Sequence, residues 1–274
     1  MIKTAIFCWL IWGCWACTSD QVVSSITLPS PPLDTIPTSI VIPLRLQQLI
    51  KAYPTQQLSS DGLRLIWPDS FALVYEDTSP WPNFWDSLER PTLALQVAQN
   101  YPKGINYPVP SRNQDPGRIR VNAFFEKMYG ANKAEVQEQF VVVDFLGTRV
   151  RMTTVNNVHK RLAAVAKALE QHPEWHRYCL PTAGTFNWRT IAGTTRKSSH
   201  SFGIAIDLNV KWANYWRWAV APKDATGNRP ILYKNRLPLG LVALFEQEGF
   251  IWGGKWYQYD TMHFEYRPEL LVAL

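Results

Sequence analysis

The chain holds five histidines, His159, His172, His176, His200 and His263, and two of them keep company that could do chemistry. His200 stands in Ser198-Ser199-His200-Ser201-Phe202-Gly203-Ile204-Ala205-Ile206-Asp207, with six residues between imidazole and carboxylate. His263 stands in Asp260-Thr261-Met262-His263-Phe264-Glu265-Tyr266, with a carboxylate three residues before it. Two imidazoles and one carboxylate make a three-ligand set with an open position, the pattern of catalytic rather than structural zinc. His200, Asp207 and His263 are therefore the candidate metal ligands, and Asp260 is free to act as a base toward water at the metal. Taken singly, each has a plainer use as a buried hydrogen-bonded histidine, a turn aspartate or a loop carboxylate; the combination is what points to a site. The other three histidines lie on or beside one helical stretch among Lys and Arg, where a solvated surface role suffices.

Such a site needs two adjacent strands. Residues 203–210 read as one strand, with Ala205 and Asp207 on a shared face and the small Gly203 and Ala205 leaving room for a third group to approach. Residues 261–266 read as a second strand of the same sheet, with His263 and Glu265 on one face, where Glu265 could support the histidine, and Met262 and Phe264 turned to the core. Strand–turn–strand patterns cover residues 63–75, through Pro68-Asp69-Ser70, and residues 140–154, through Leu146-Gly147. One helix starts at an Asn157 N-cap, repeats Val158, Leu162, Val165 and Leu169, and stops at His172-Pro173. Another covers residues 238–248, with Leu241, Leu244 and Phe245 on its apolar face and Gly249 as its stop. Residues 78–116 are Pro-rich and read as irregular, pinned by Trp81, Phe84 and Trp85. The expected class is α+β, an antiparallel sheet with flanking helices.

The combined pattern, S-x-H, six residues to Asp, then an acid three residues before a second His, resembles the zinc D-alanyl-D-alanine carboxypeptidases and dipeptidases of the VanY and VanX type. It also resembles the related L-alanyl-D-glutamate endopeptidases. Ser198, His200, Asp207, Asp260 and His263 carry it, with Trp252-Gly253-Gly254 and Trp256 beside it. The resemblance is strongest over residues 115–266. It implies a DD-peptidase/hedgehog-like zinc peptidase fold, Zn2+ held by His200, Asp207 and His263, Asp260 as general base, and peptidoglycan stem peptides as substrate. It further implies an arginine that polarises the scissile carbonyl, matched by Arg189 with Arg196 as rival, and a substrate contact from Ser198. The family often has Glu where this chain has Asp260, a side chain one methylene shorter. Carboxypeptidase and endopeptidase activities both remain open, and the alternative is a non-catalytic cell-wall-binding lipoprotein with a retained metal site. A non-haem iron oxygenase fits less well, because its His and Asp usually stand one residue apart.

Composition agrees with an exported enzyme. The chain has 274 residues, 46% of them hydrophobic, enough for a sizeable core. Its net charge of +6 is too weak to indicate nucleic acid. The charge is uneven: from Arg151 onward there are 16 basic and 9 acidic residues, against 12 and 13 before it. The half with the motifs thus suits an anionic substrate. Four cysteines are too few for a disulfide scaffold. Residues 1–17 read as a lipoprotein-type export signal, with Cys17 or Cys14 lipidated, and residues 18–43 as a Pro/Ser/Thr-rich tether. The peptidase domain would fill residues 44–274, anchored to a membrane by its N-terminal lipid and facing the periplasm or cell wall.

Overall fold

Leu46, Leu49 and Ala52 recur every three residues. The computed structural model, which describes residues 40–76, 82–219 and 230–272, has them on the buried side of α1 (Leu44–Ala52). From the same helix Gln48 Nε2 donates to the carbonyls of Glu269 and Val272 at 2.8 and 2.9 Å, tying it to the C-terminal end of the domain. The export signal, Cys14, Cys17 and residues 18–39 of the tether lie outside the described residues. Among those described, no helix is long and apolar enough to cross a membrane.

The expected strand–turn–strand over 63–75 forms β2 (Arg64–Ile66) and β3 (Ala72–Val74), joined on one edge by the short β1 (Ser59–Ser60). The reading of 78–116 as irregular is corrected in part, because α2 (Phe84–Glu89) and α3 (Leu93–Ala98) lie within it. Each has six residues, too few for a 3.6-residue period to repeat, and only their caps announce them. Asn83 Oδ1 accepts from Asp86 N at 3.0 Å and Thr92 Oγ1 from Leu95 N at 3.2 Å. Of the three expected aromatic pins, Phe84 packs with Leu88, Leu95 and Ile119, Trp85 is 47% exposed, and Trp81 is outside the described residues.

Beyond α3 the chain is irregular, as its prolines require, and side chains from the far end of the sequence hold it. The buried Lys255 ammonium pairs with Glu246 and donates to the carbonyls of Pro102 and Gly104, each at 2.7 Å. Trp256 Nε1 donates to Pro116 O at 2.6 Å. Gly117 has φ +103°, and a Cβ there would meet Ile251 Cδ1 at 2.4 Å, so no larger residue fits. Two further helices that periodicity did not reveal follow, α4 (Asn122–Tyr129) and α5 (Lys133–Glu138).

The hairpin of β4 (Phe140–Phe145) and β5 (Thr148–Thr153) turns where expected, with Leu146 at φ 54° and Gly147 at φ 81°. Against it packs α6 (Val158–Leu169), whose Val158, Leu162, Val165 and Leu169 are all buried. Asn157 occupies the N-cap position but at φ 59°, and its side chain caps no N–H; the helix also ends at Leu169, before His172-Pro173. After the short α7 (His176–Cys179), in which Cys179 is a buried free thiol, come β6 (Ala205–Asp207), α8 (Trp216–Ala219), α9 (Leu239–Gln247), β7 (Phe250–Trp252) and β8 (His263–Tyr266).

The last three strands form an antiparallel sheet of order β6-β8-β7. Both strands that carry the motifs are shorter than expected. Gly203, at φ +64°, closes the turn before β6, and Asn209 Oδ1 accepts from Lys211 N at 3.0 Å to start another turn after it. The register pairs Asp207 with His263, Ile206 with Phe264 and Ala205 with Glu265. Side chains alternate, so Ile206, Phe264, Tyr266, Trp252 and Phe250 share the face toward α9, where Phe245 stacks on Phe264 at 4.1 Å between centroids. Leu241 and Phe245 of α9 are buried there with Val242, while Leu244 is only half-buried. Burying one such phenylalanine contributes roughly 1.5–3 kcal/mol. Asp207, His263 and Glu265 are left together on the opposite face. The class is α+β, with three separate small antiparallel sheets among the described residues in place of one.

Candidate active site

His200 lies in a single 3-10 turn, Ser199–Phe202, directly before β6. Gly203 ends that turn in the left-handed region, and any Cβ there would meet the Phe140 ring at 2.3 Å, so the hairpin fixes how the histidine turn sits against β6. His200 Nδ1 is 3.1 Å from Thr185 O, which can only accept. The proton is therefore on Nδ1, and Nε2 presents a lone pair. His263 Nε2 is 3.2 Å from Glu265 Oε2 and 3.3 Å from Ser199 Oγ, which leaves Nδ1 as its free lone pair.

These two lone pairs and Asp207 Oδ1 converge. His200 Nε2 is 3.2 Å from His263 Nδ1 and 3.2 Å from Asp207 Oδ1, and His263 Nδ1 is 2.9 Å from the same oxygen. A tetrahedral zinc site with bonds of about 2.0–2.1 Å has edges of about 3.3 Å, close to this triangle. Three electron-rich atoms so near one another need a positive charge between them. Without a metal a proton supplies it: burial alone would lower His263, but hydrogen bonds to Asp207 and Glu265 carry it up to about 10. Against the opposing effect of burial, the two imidazoles hold Asp207 well below the usual carboxylate range. His200, Asp207 and His263 are thus a group that could hold a metal ion, and their donor chemistry fits zinc.

Asp260 precedes β8 in a turn whose backbone is anchored at both ends. Its N–H donates to Gly253 O at 3.0 Å and its carbonyl accepts from His263 N at 3.2 Å. Its Oδ1 is buried and has no hydrogen-bond partner. Burial raises this carboxyl to about 6, opposed by the His263 charge and reinforced by Asp207. An acceptor so placed can take a proton from a group that enters the cleft.

That cleft measures about 530 Å³ and is lined by the three candidate ligands, Asp260, Ser198 and Arg189. Arg189 is exposed; its backbone is locked to the histidine turn through Ser198 N and Ser201 Oγ, while its guanidinium has no partner among the described residues. Ser198 is buried beside it. Of the tryptophans near the motif, Trp252 is core, and Trp256 packs 5.6 Å from the His263 ring between centroids.

Sequence reasoning missed the part of the cleft lining that comes from α2 and the loop before α4 and includes Trp85, Glu89, Arg118 and Arg120. No local pattern ties these residues to the histidines. It also missed the chain of charges behind His263. Glu265 accepts from Arg120 Nη1 at 3.0 Å and Arg267 Nη1 at 3.1 Å, and Arg267 Nε donates to Glu269 at 2.6 Å. Glu269 in turn accepts from Tyr53 at 2.6 Å. The two guanidinium groups hold Glu265 ionised against the cost of burial, ready to accept from the histidine. Glu265→Gln is expected to weaken zinc binding by about 10- to 100-fold, measured by competition with a chelator on folded protein. It is also expected to cost about 3–5 kcal/mol of stability in denaturant titration, because two buried arginines lose a partner.

Residues 192–266 match the family model described as D-alanyl-D-alanine carboxypeptidase, which bears out the resemblance read from the motifs. The match contains Ser198, His200, Asp207, Asp260 and His263, and leaves outside it Arg189 and the cleft residues from α2 and the loop before α4. Neither the curated proteins nor the solved structures include a significant match to the chain.

Proposed function

We propose that this chain is a zinc metallopeptidase that hydrolyses an amide bond in peptidoglycan stem peptides, as a D-Ala-D-Ala carboxypeptidase or an L-Ala-D-Glu endopeptidase. The observation that carries this reading is the triangle of three donor atoms, 2.9–3.2 Å apart, beside an unpartnered carboxylate oxygen in an open cleft. The fold proposed with it is the DD-peptidase/hedgehog-like one, in which adjacent antiparallel strands supply Asp207 and His263.

His200 Nε2, His263 Nδ1 and Asp207 Oδ1 would hold the zinc. When bound, zinc supplies Lewis acidity toward water and the scissile carbonyl. Asp260 takes the proton of the attacking water on its free oxygen and returns it to the leaving amine. Its raised proton affinity, near 6, suits both transfers close to neutral pH. The unpartnered Arg189 guanidinium stabilises negative charge on the carbonyl oxygen, and Ser198 contacts the substrate backbone. Asp260 is one methylene shorter than Glu, and its backbone is anchored to Gly253 and His263. The leader at residues 1–17 supports delivery of this activity to the cell wall, with the lipid on Cys17 or Cys14.

The test is digestion of purified peptidoglycan and synthetic stem peptides by the zinc-loaded protein, with products read by mass spectrometry. Release of terminal D-Ala identifies the carboxypeptidase, and a cut between L-Ala and D-Glu the endopeptidase. No product from any stem peptide would sink the peptidase reading in favour of a wall-binding lipoprotein.

A further inference from the structure

Two arginines, Arg118 and Arg196, line the cleft that holds the metal-ligand group, and one of them, Arg196, has no carboxylate partner among the described residues. Arg196 is half-buried, its Nε is buried without a partner, and its one side-chain hydrogen bond is a long 3.4 Å contact from Nη1 to the carbonyl of Arg118. Among the described residues no carboxylate lies within ion-pair distance of it; Glu89, on the same cleft, attracts it only from further away. Arg118 lies flat over Trp256, 4.8 Å from the ring centroid, and is braced by Gln258 through its side-chain and backbone oxygens at 3.1 and 2.9 Å. Its Nε pairs loosely with the buried Asp115 carboxylate at 3.8 Å, so its charge is only partly spent.

Arg120 packs close to both and spends its own charge on Glu265. Burial is the main reason that Arg120 is lowered to about 10 despite that partner, with smaller repulsions from Arg267, Arg196 and Arg118. Like charges gathered on a cleft wall cost free energy unless an anion joins them, and a guanidinium fork matches a carboxylate in shape as well as charge. Asp260 lines the same cleft, and its carboxylate feels the Arg118 charge. An anion bound there would therefore lie near the reacting bond.

We propose that Arg118 and Arg196 form a subsite for a carboxylate of the substrate peptide, so that the enzyme selects peptides presenting a free carboxylate to this wall. The proposal rests on the peptidase reading above. It lies outside the matched segment for Arg118 and assigns Arg196 to recognition, leaving carbonyl polarisation to Arg189. In a lysine-type stem peptide, the type used as probe below, the carboxylate has two sources, the C-terminus and the α-carboxylate of D-isoglutamate.

The test is calorimetric binding to zinc-loaded full-length Asp260→Asn protein, with three probes: a synthetic stem pentapeptide, its C-terminal amide, and its D-isoglutamine counterpart. One amide is expected to bind about 10- to 100-fold more weakly than the acid, the scale of a charge-assisted hydrogen bond. Which amide it is identifies the carboxylate. Adding Arg196→Gln should level that difference, and Arg196→Lys, which keeps the charge but not the fork, should restore part of it. Because Arg196 contributes one weak side-chain hydrogen bond, its variants should fold, which a melting curve checks. Equal binding of acid and both amides would overturn the proposal, as would a preference that survives both Arg196→Gln and Arg118→Gln. Absence of hydrolysis by the wild-type chain would refute the peptidase reading alone, because carboxylate preference is read by binding.

Discussion

Replacing His200 with alanine is expected to abolish zinc binding and to bring hydrolysis down to the uncatalysed baseline. The remaining donors, Asp207 Oδ1 and His263 Nδ1, are 2.9 Å apart and would be left as an ordinary buried ion pair, satisfied by a proton on the imidazole. Zinc would then have to displace that proton for two ligands instead of three. The loss should exceed the roughly 10- to 100-fold that substitutions behind a ligand cost. Metal content after gel filtration, read by mass spectrometry, is the direct measurement. The fold should persist, because the turn is closed by Gly203 and packed by Phe202, neither of which depends on the imidazole. Stoichiometric zinc retained by His200→Ala would show that the three donors are not the metal site.

Asp260→Asn is expected to separate the metal from the chemistry. The substitution keeps the shape of the side chain and the backbone hydrogen bonds to Gly253 and from His263, so zinc should bind at wild-type stoichiometry. What disappears is the one carboxylate oxygen in the cleft, among the described residues, that is buried without a partner, and with it the proposed proton acceptor. Loss of a positioned general base costs about 10²- to 10⁴-fold in kcat. The check pairs zinc content with the rate of product release from a stem peptide. An Asp260→Asn protein with full zinc and wild-type kcat would remove Asp260 from the mechanism.

Both predictions concern residues that could be named from the sequence, and there is a physical reason for that. A strand repeats every two residues, so Asp207 and Ala205 must share one face, as must His263 and Glu265. The same local logic marks the β4–β5 turn at Leu146-Gly147 and the buried stripe of α6, because turn chemistry and helical periodicity are properties of adjacent residues. It fails for α2, α3 and α5, six residues each, where two turns are never completed and the caps at Asn83, Thr92 and Asn132 are the only signal. It also fails for Asn157, whose type suits a cap but whose backbone, at φ 59°, does not use it.

The sequence by itself determined the candidate donor set, the proposed base, and the alternation that puts Asp207 and His263 on one side of a sheet. Tertiary structure decided the rest. The order β6-β8-β7 brings Asp207 opposite His263, 56 residues apart. The Thr185 carbonyl and Glu265 select which nitrogen of each imidazole is free. Arg120, 145 residues before Glu265, keeps that carboxylate charged, and Arg118 and Arg196 meet on a wall that no motif announces. Residue type and spacing specify which atoms can bind a metal, whereas charge balance and access depend on burial among neighbours distant in the chain, and those are set only when the core packs.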